Sequence, residues 1–222
     1  LIKDTALPIL AIDDPLMTDN RVSDAEQAAV VISGTSNAED NQDVALIITD
    51  GANPPNTLTV TATVTGGVWS YTADISGLFD GNIDITANVF DLAGNPATQA
   101  TKTVTKDAAL PTLAIDDFLM TDNKVNDAEK TAVVISGTSN AENSETVTLT
   151  ITDGATPPNT INAIATVTGG SWQTGVLDIN GMADGNITIT ADVFDQIGNA
   201  ATPASKTLIK ETVAPTLAID AT

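Results

Sequence analysis

The sequence predicts an all-β protein built as two tandem β-sandwiches, and three observations carry that reading. The chain repeats itself, its apolar residues alternate with period two, and turn-forming residues interrupt the alternation at short intervals. The repeat is the strongest of the three. The run from Leu10, LAIDDPLMTDNRVSDAEQAAVVISGTSNAE, returns from Leu113 as LAIDDFLMTDNKVNDAEKTAVVISGTSNAE, an offset of 113 − 10 = 103 residues. The match continues through ITDGANPPNT at Ile48 and ITDGATPPNT at Ile151, and through TVTGG at Thr63 and Thr166. After Trp172 the second copy carries one extra residue, so Asp80, Val89 and Gly94 recur as Asp184, Val193 and Gly198 at an offset of 104. A third copy is expected to begin at the end, where Pro215-Thr-Leu-Ala-Ile-Asp220 repeats Pro111 to Asp116. The expected divisions are repeat 1 over 1–106, repeat 2 over 107–213 and the start of a third repeat over 214–222.

Within repeat 1 the alternation predicts seven strands, at roughly 9–13, 28–35, 43–50, 57–65, 67–75, 82–90 and 99–106. Val60, Ala62 and Val64 alternate with Thr59, Thr61 and Thr63, and Ile83, Ile85, Ala87 and Val89 alternate with Asp84, Thr86 and Asn88. Asp50-Gly51, Pro54-Pro55-Asn56, Gly66-Gly67, Asp80-Gly81-Asn82 and Gly94-Asn95 supply the turns. Seven short alternating strands in about 100 residues is the pattern of an immunoglobulin-like sandwich. Lys106-Asp107-Ala-Ala-Leu-Pro111 joins the copies, with proline and no Gly/Ser run, which predicts a semi-rigid, end-to-end array.

Composition agrees and narrows the function. Hydrophobic residues make up 42% of the 222 but aromatics only 3%, so the cores are built from small and β-branched side chains, which favour strands. Twenty-nine acidic residues against eight basic ones give a net charge of −21, which opposes binding to nucleic acid or to an anionic membrane. No stretch is long and apolar enough for a transmembrane helix, and the chain is expected to be monomeric. The absence of Cys and His removes disulfides, thiolate chemistry, zinc–sulfur sites and the commonest general base. With no nucleophile elbow, phosphate loop or basic cluster either, the expectation is a protein that is not an enzyme.

The acidic residues cluster in loops. After the first strand come Asp13-Asp14, Asp19-Asn20, Asp24 and Glu26, and the second copy repeats them as Asp116-Asp117, Asp122-Asn123, Asp127 and Glu129. Carboxylates and amides in one irregular loop are the hard oxygen donors that Ca²⁺ takes. A solvated acidic loop is the competing reading. A second acidic point is the turn Asp91 to Asn95, repeated as Asp195 to Asn199, which either binds metal or is capped by its own aspartate. The loop after the first strand is expected at the end of the sandwich opposite this turn, so that stacked copies bring acids to the junction around Asp107. Asp80-Gly81-Asn82 reads as a turn and Asn37-Ala-Glu39-Asp40 as loop surface. Trp69 and Trp172 read as core anchors, and the threonine rows as the solvent face of strands.

The order Lys-Asp-Xaa-Xaa-Xaa-Pro-Thr-Leu-Ala-Ile-Asp, Asp-Asn-Xaa-Val-Xaa-Asp-Ala-Glu, Ile-Ser-Gly-Thr and Phe-Asp-Xaa-Xaa-Gly-Asn resembles the bacterial immunoglobulin-like repeats of giant RTX-type, type I-secreted surface adhesins. The resemblance covers essentially the whole chain. It implies an extracellular, cell-surface extender that binds Ca²⁺ at its ends and linkers, is stiffened by it, and projects a distal ligand-binding domain for attachment or biofilm formation. It places the metal ligands among Asp4, Asp13, Asp14, Asp19, Asn20, Glu26, Asp91 and Asn95, and in the second copy Asp107, Asp116, Asp117, Asp122, Asn123, Glu129, Asp195 and Asn199. Glu211 stands where Asp107 stands one copy earlier, a departure at the linker position. Two rival readings stay open: repeats that themselves bind a glycan, a mineral or ice, or a partner-cell protein, and an accessory module of a secreted enzyme.

Overall fold

The computed structural model describes residues 3–218; Leu1, Ile2 and residues 219–222 lie outside them, so the expected third repeat at 214–222 is only partly described. The chain separates into two compact units, Leu1–Ala109 and Leu110–Thr222, each with its own core. The first unit contains β1 (Leu10–Ile12), β2 (Arg21–Val22), β3 (Val30–Ser36), β4 (Asp43–Thr49), β5 (Thr57–Thr63), β6 (Val68–Ala73), β7 (Gly81–Val89) and β8 (Ala100–Lys106). The second contains β9 (Leu113–Ile115), β10 (Lys124–Val125), β11 (Ser136–Ser139), β12 (Thr146–Asp153), β13 (Thr160–Thr166), β14 (Ser171–Gln173), β15 (Gly185–Asp192) and β16 (Ala204–Lys210).

Each unit is an immunoglobulin-like sandwich of a three-stranded and a five-stranded sheet. The orders are β1-β3-β6 over β2-β8-β7-β4-β5, and β9-β11-β14 over β10-β16-β15-β12-β13. All seven expected strands of repeat 1 are present. Their alternation sends Ile32, Leu46, Ile48, Ile83 and Ile85 into the interior, each essentially without exposure. Full burial of such a side chain contributes about 1.5–3 kcal/mol. The connection from β5 to β6 crosses between sheets through Gly66 and Gly67, whose φ values of 60° and 81° make the tight turn closed by the Thr65–Val68 bridge.

The Ile-Ser-Gly-Thr motif has a packing reason. Gly34, mid-strand in β3, faces Trp69 across the ladder, and a Cβ there would fall 2.0 Å from the Ala11 carbonyl oxygen and 2.5 Å from the indole. The indole therefore lies against bare backbone and donates from Nε1 to the Thr35 carbonyl at 3.3 Å. Gly137, Trp172 and Thr138 repeat the arrangement, with 3.2 Å for the indole bond. Both tryptophans are buried, as the sequence leads one to expect.

Two features were not foreseen. The first is β2, which pairs in parallel with β8 (Arg21↔Thr105, Val22↔Lys106), as β10 does with β16. The leading edge of the sandwich thus changes sheets: β1 belongs to one sheet, and after a crossover β2 belongs to the other. The second follows from the extra residue after Trp172. Where β3 and β6 pair over six positions, β11 and β14 pair over three. Beyond them Thr174 turns inward, buried, and its hydroxyl accepts the Ile135 N–H at 3.1 Å while its own N–H donates to the Ile135 carbonyl at 2.8 Å. The side chain replaces a ladder bond that the bulge removes.

Candidate metal-binding sites

The acidic run 13–20 is the crossover between β1 and β2, which corrects its expected position. It does not sit wholly at the end of the sandwich but runs along its side toward that end: Asp14 pairs with Lys102, early in β8, and the Thr105 N–H, late in β8, donates to the Asn20 carbonyl at 3.0 Å. Asn20, bonded beside the last residues of β8, and then Glu26, in the turn after β2, follow toward the far end.

Each predicted side chain here has a local partner. Asp13 accepts the Ser33 hydroxyl at 2.5 Å. Asp14 accepts from Lys102 and, at 3.0 Å, from the Asn20 amide. These two bonds, the lysine's first, lower its pKa. The Asn20 carbonyl oxygen of the side chain accepts the Leu16 N–H at 2.8 Å, and Asp19 accepts the Arg21 N–H at 3.0 Å. Glu26 accepts both the Ser23 N–H at 3.0 Å and its hydroxyl at 2.8 Å, the return half of a capping box written Ser-Xaa-Xaa-Glu. The second copy repeats the scheme: Asp116 with Ser136, Asn123 with the Leu119 N–H, Asp122 with the Lys124 N–H, and Glu129 with the Asn126 N–H. Asp117 lies 3.6 Å from Lys206.

The turn after β7 is closed by its own aspartate. Asp91 accepts the Asn95 N–H at 2.7 Å and the Asn95 amide at 2.8 Å, and that amide, ahead of the backbone N–H groups, lowers its pKa. Asp195 accepts the N–H groups of Ile197, Gly198 and Asn199 at 2.8–2.9 Å and the Asn199 amide at 2.8 Å. Gly94, with φ of 89°, provides the left-handed step this loop requires.

The sequence reading missed Glu39, which it assigned to loop surface. Its carboxylate accepts the Leu92 N–H at 2.9 Å, and Glu142 likewise accepts the Gln196 N–H at 3.1 Å. Asp4, Asn37, Glu39 and Asp91 line one hollow of about 130 Å³ at the incoming end of the first unit. Asp4 also accepts the Ala6 N–H at 3.0 Å, as Asp107 does that of Ala109. Identical residues 103 apart mark Glu39 and Glu142 in the sequence, but only the fold brings them to the turn.

Another acidic pair was missed. Asp50, only 6% exposed, accepts from the Ala52, Asn56 and Phe79 N–H groups at 2.9–3.1 Å and from the Asn56 amide at 2.7 Å. The Phe79 N–H leads in lowering its pKa to about 2. Asp153 makes the same four bonds with Ala155, Asn159 and Ala183, and its pKa is also lowered, the Asn159 amide leading. Asp80, read as a plain turn residue, pairs at 2.7 Å with Lys106, a buried lysine at the end of β8. Asp184 pairs with Lys210 at 3.0 Å and accepts the Thr212 N–H at 3.0 Å.

The donor set is entirely oxygen, which fits Ca²⁺ and not zinc or copper. Among the described residues, no three Asp or Glu side chains converge as a ready metal cage. The carboxylates meet at the turns, and there they bind backbone N–H groups.

No protein-family model matches the chain, and no curated protein matches it. Solved structures do. A Ca²⁺-stabilised adhesin that helps an Antarctic bacterium reach out and bind ice is 26% identical, with TM-score 0.54, over 96% of this chain and 51% of its own. A structure bearing on host-cell surface retention of a 1.5-MDa bacterial ice-binding adhesin is 21% identical, with TM-score 0.51, over 96% of this chain and 67% of its own. A tetra-tandem repeat from the extending region of a large adhesion protein is 31% identical, with TM-score 0.40, over 90% of this chain and 49% of its own. The chain therefore spans about half to two-thirds of these three structures. All three neighbours come from adhesion proteins. The chain is similar in sequence and in fold to a Ca²⁺-stabilised bacterial ice-binding adhesin, and in fold to a second structure of a large bacterial ice-binding adhesin.

Proposed function

We propose that the chain is a spacer from the extender region of a bacterial cell-surface adhesin, and that Ca²⁺ stiffens it. Its repeats are taken as 1–106 and 107–213, with a third starting over 214–222, and it holds a distal ligand-binding domain away from the cell. The likeness to a calcium-stabilised adhesin, over 96% of the chain, carries the reading. The net charge of −21 supports the calcium component, because a compact chain so charged repels itself and a divalent cation relieves that at low concentration. The ligands are drawn from the acidic turns identified from sequence, with Glu39 joining Asp4 and Asp91 at the incoming end of the first unit. To bind there, the ion takes carboxylate oxygens now held by the Leu92 and Asn95 N–H groups.

A thermal melt in calcium, in excess EDTA, and in magnesium at equal ionic strength tests this. A calcium-specific rise in Tm is expected, and Glu39→Gln with Asp91→Asn reduces it. An equal effect of magnesium, or no rise, removes calcium from the reading and leaves a spacer of solvated acidic surface.

A further inference from the structure

Charge is distributed unevenly over each repeat. The chain holds 8 + 29 charged residues among 222, yet residues 51–73 of the first repeat and 154–177 of the second contain none. These runs are 23 and 24 residues long, and the fold places both on one side of their sandwich, where they form β5 and β6, and β13 and β14.

That side ends in an open sheet edge. β5 is the terminal strand of the five-stranded sheet and, among the described residues, pairs only with β4 along its seven residues; β13 pairs along its length with β12 and makes one bridge on its other flank, Ala165 to Thr174. The free flank of β5, and that of β13 ahead of Ala165, presents backbone N–H and C=O groups, a template for another strand. Proteins ordinarily guard such an edge with lysine, proline, a bulge or brevity. TLTVTAT and TINAIAT have none of these. Their outward residues Thr59, Thr61, Asn162 and Ile164 are exposed, Ile164 by 70%. The opposite edge of the same sheet is guarded: β2 is two residues long and is flanked by the Asp14–Lys102 pair.

We propose that β5 and β13 form a lateral docking surface for a second copy of this chain, joined strand to strand in antiparallel pairing. The occupant follows from charge and shape. Two copies carrying −21 each repel wherever carboxylates face, and the edge strands themselves carry none, the nearest being Asp43 opposite Thr63 and Asp13 and Asp116 in the adjoining grooves. An antiparallel edge is self-complementary, as a two-fold contact requires. The expectation of a monomer becomes a concentration-dependent equilibrium.

Sedimentation of the 222-residue chain in EDTA tests this independently of calcium. The weight-average mass is expected to rise toward twice that of one chain between micromolar and millimolar concentration, more readily as salt screens the residual repulsion. Thr59→Glu with Thr61→Glu, and Asn162→Glu with Ile164→Glu, are expected to hold the chain monomeric. The matching lysine variants, mixed with the glutamate ones, are expected to restore association. Hydrogen exchange on the unaltered chain should slow with concentration in 57–63 and 160–166. A monomer throughout, or association that the glutamates leave unchanged, overturns the proposal.

Discussion

At the scale of single residues, the most informative side chain is one whose importance the sequence hides. Asp50-Gly51 reads as an ordinary turn, yet Asp50 ties two loops together through four bonds. Its pKa near 2 lies below the ~3.9 of an unfolded aspartate, so the native state binds fewer protons between those values. The resulting stability is complete above about pH 4–5 and lost as pH falls through about 2. Asp50→Asn is therefore expected to lower Tm at neutral pH, by a margin that shrinks toward pH 2; melts of both proteins across that range check it. Gly34→Ala should cost about 1–3 kcal/mol in chemical denaturation, because the methyl meets the Ala11 carbonyl and the indole. That glycine was legible as part of a repeated motif, but not its reason, which needs the cross-strand tryptophan. Glu39 was illegible for the same cause: its partner, Leu92, is 53 residues away.

Elements were legible in proportion to their length. Strands of six to nine residues announce themselves by alternation, whereas β2 has two residues, too few for any period, and the acidic crossover before it was consequently expected wholly at one end of the sandwich and not along its side. The one-residue insertion after Trp172 was visible as a change of offset, but its accommodation was not. Thr174 absorbs it by turning its hydroxyl to the Ile135 N–H. Thr174→Val keeps the volume and removes the acceptor, leaving a buried donor unpaired at a cost of about 1–3 kcal/mol. Thr174→Ser retains the oxygen and is expected to recover most of that loss, and urea titration of the pair separates hydrogen bonding from volume.

For the molecule as a whole, the internal repeat alone predicts two sandwiches, and each unit has its own buried core. A fragment ending at Ala109 is expected to melt in one cooperative transition with calorimetric and van't Hoff enthalpies in agreement, which scanning calorimetry decides. The parallel pairing of β2 with β8 has a further consequence, for force. Because β2, which continues the leading edge begun by β1, runs the same way as the last strand, β8, the two termini of a unit leave from opposite ends. Tension applied through them slides β1 along β3 and β8 along β2, so the bonds between Thr105 and Asn20 and between Asp107 and Val22 are loaded together in shear. Bonds sheared in parallel share the load and break as a group, where bonds peeled from one end break in turn. The two-residue strand that adds so little to the core is placed where a pulled chain resists extension.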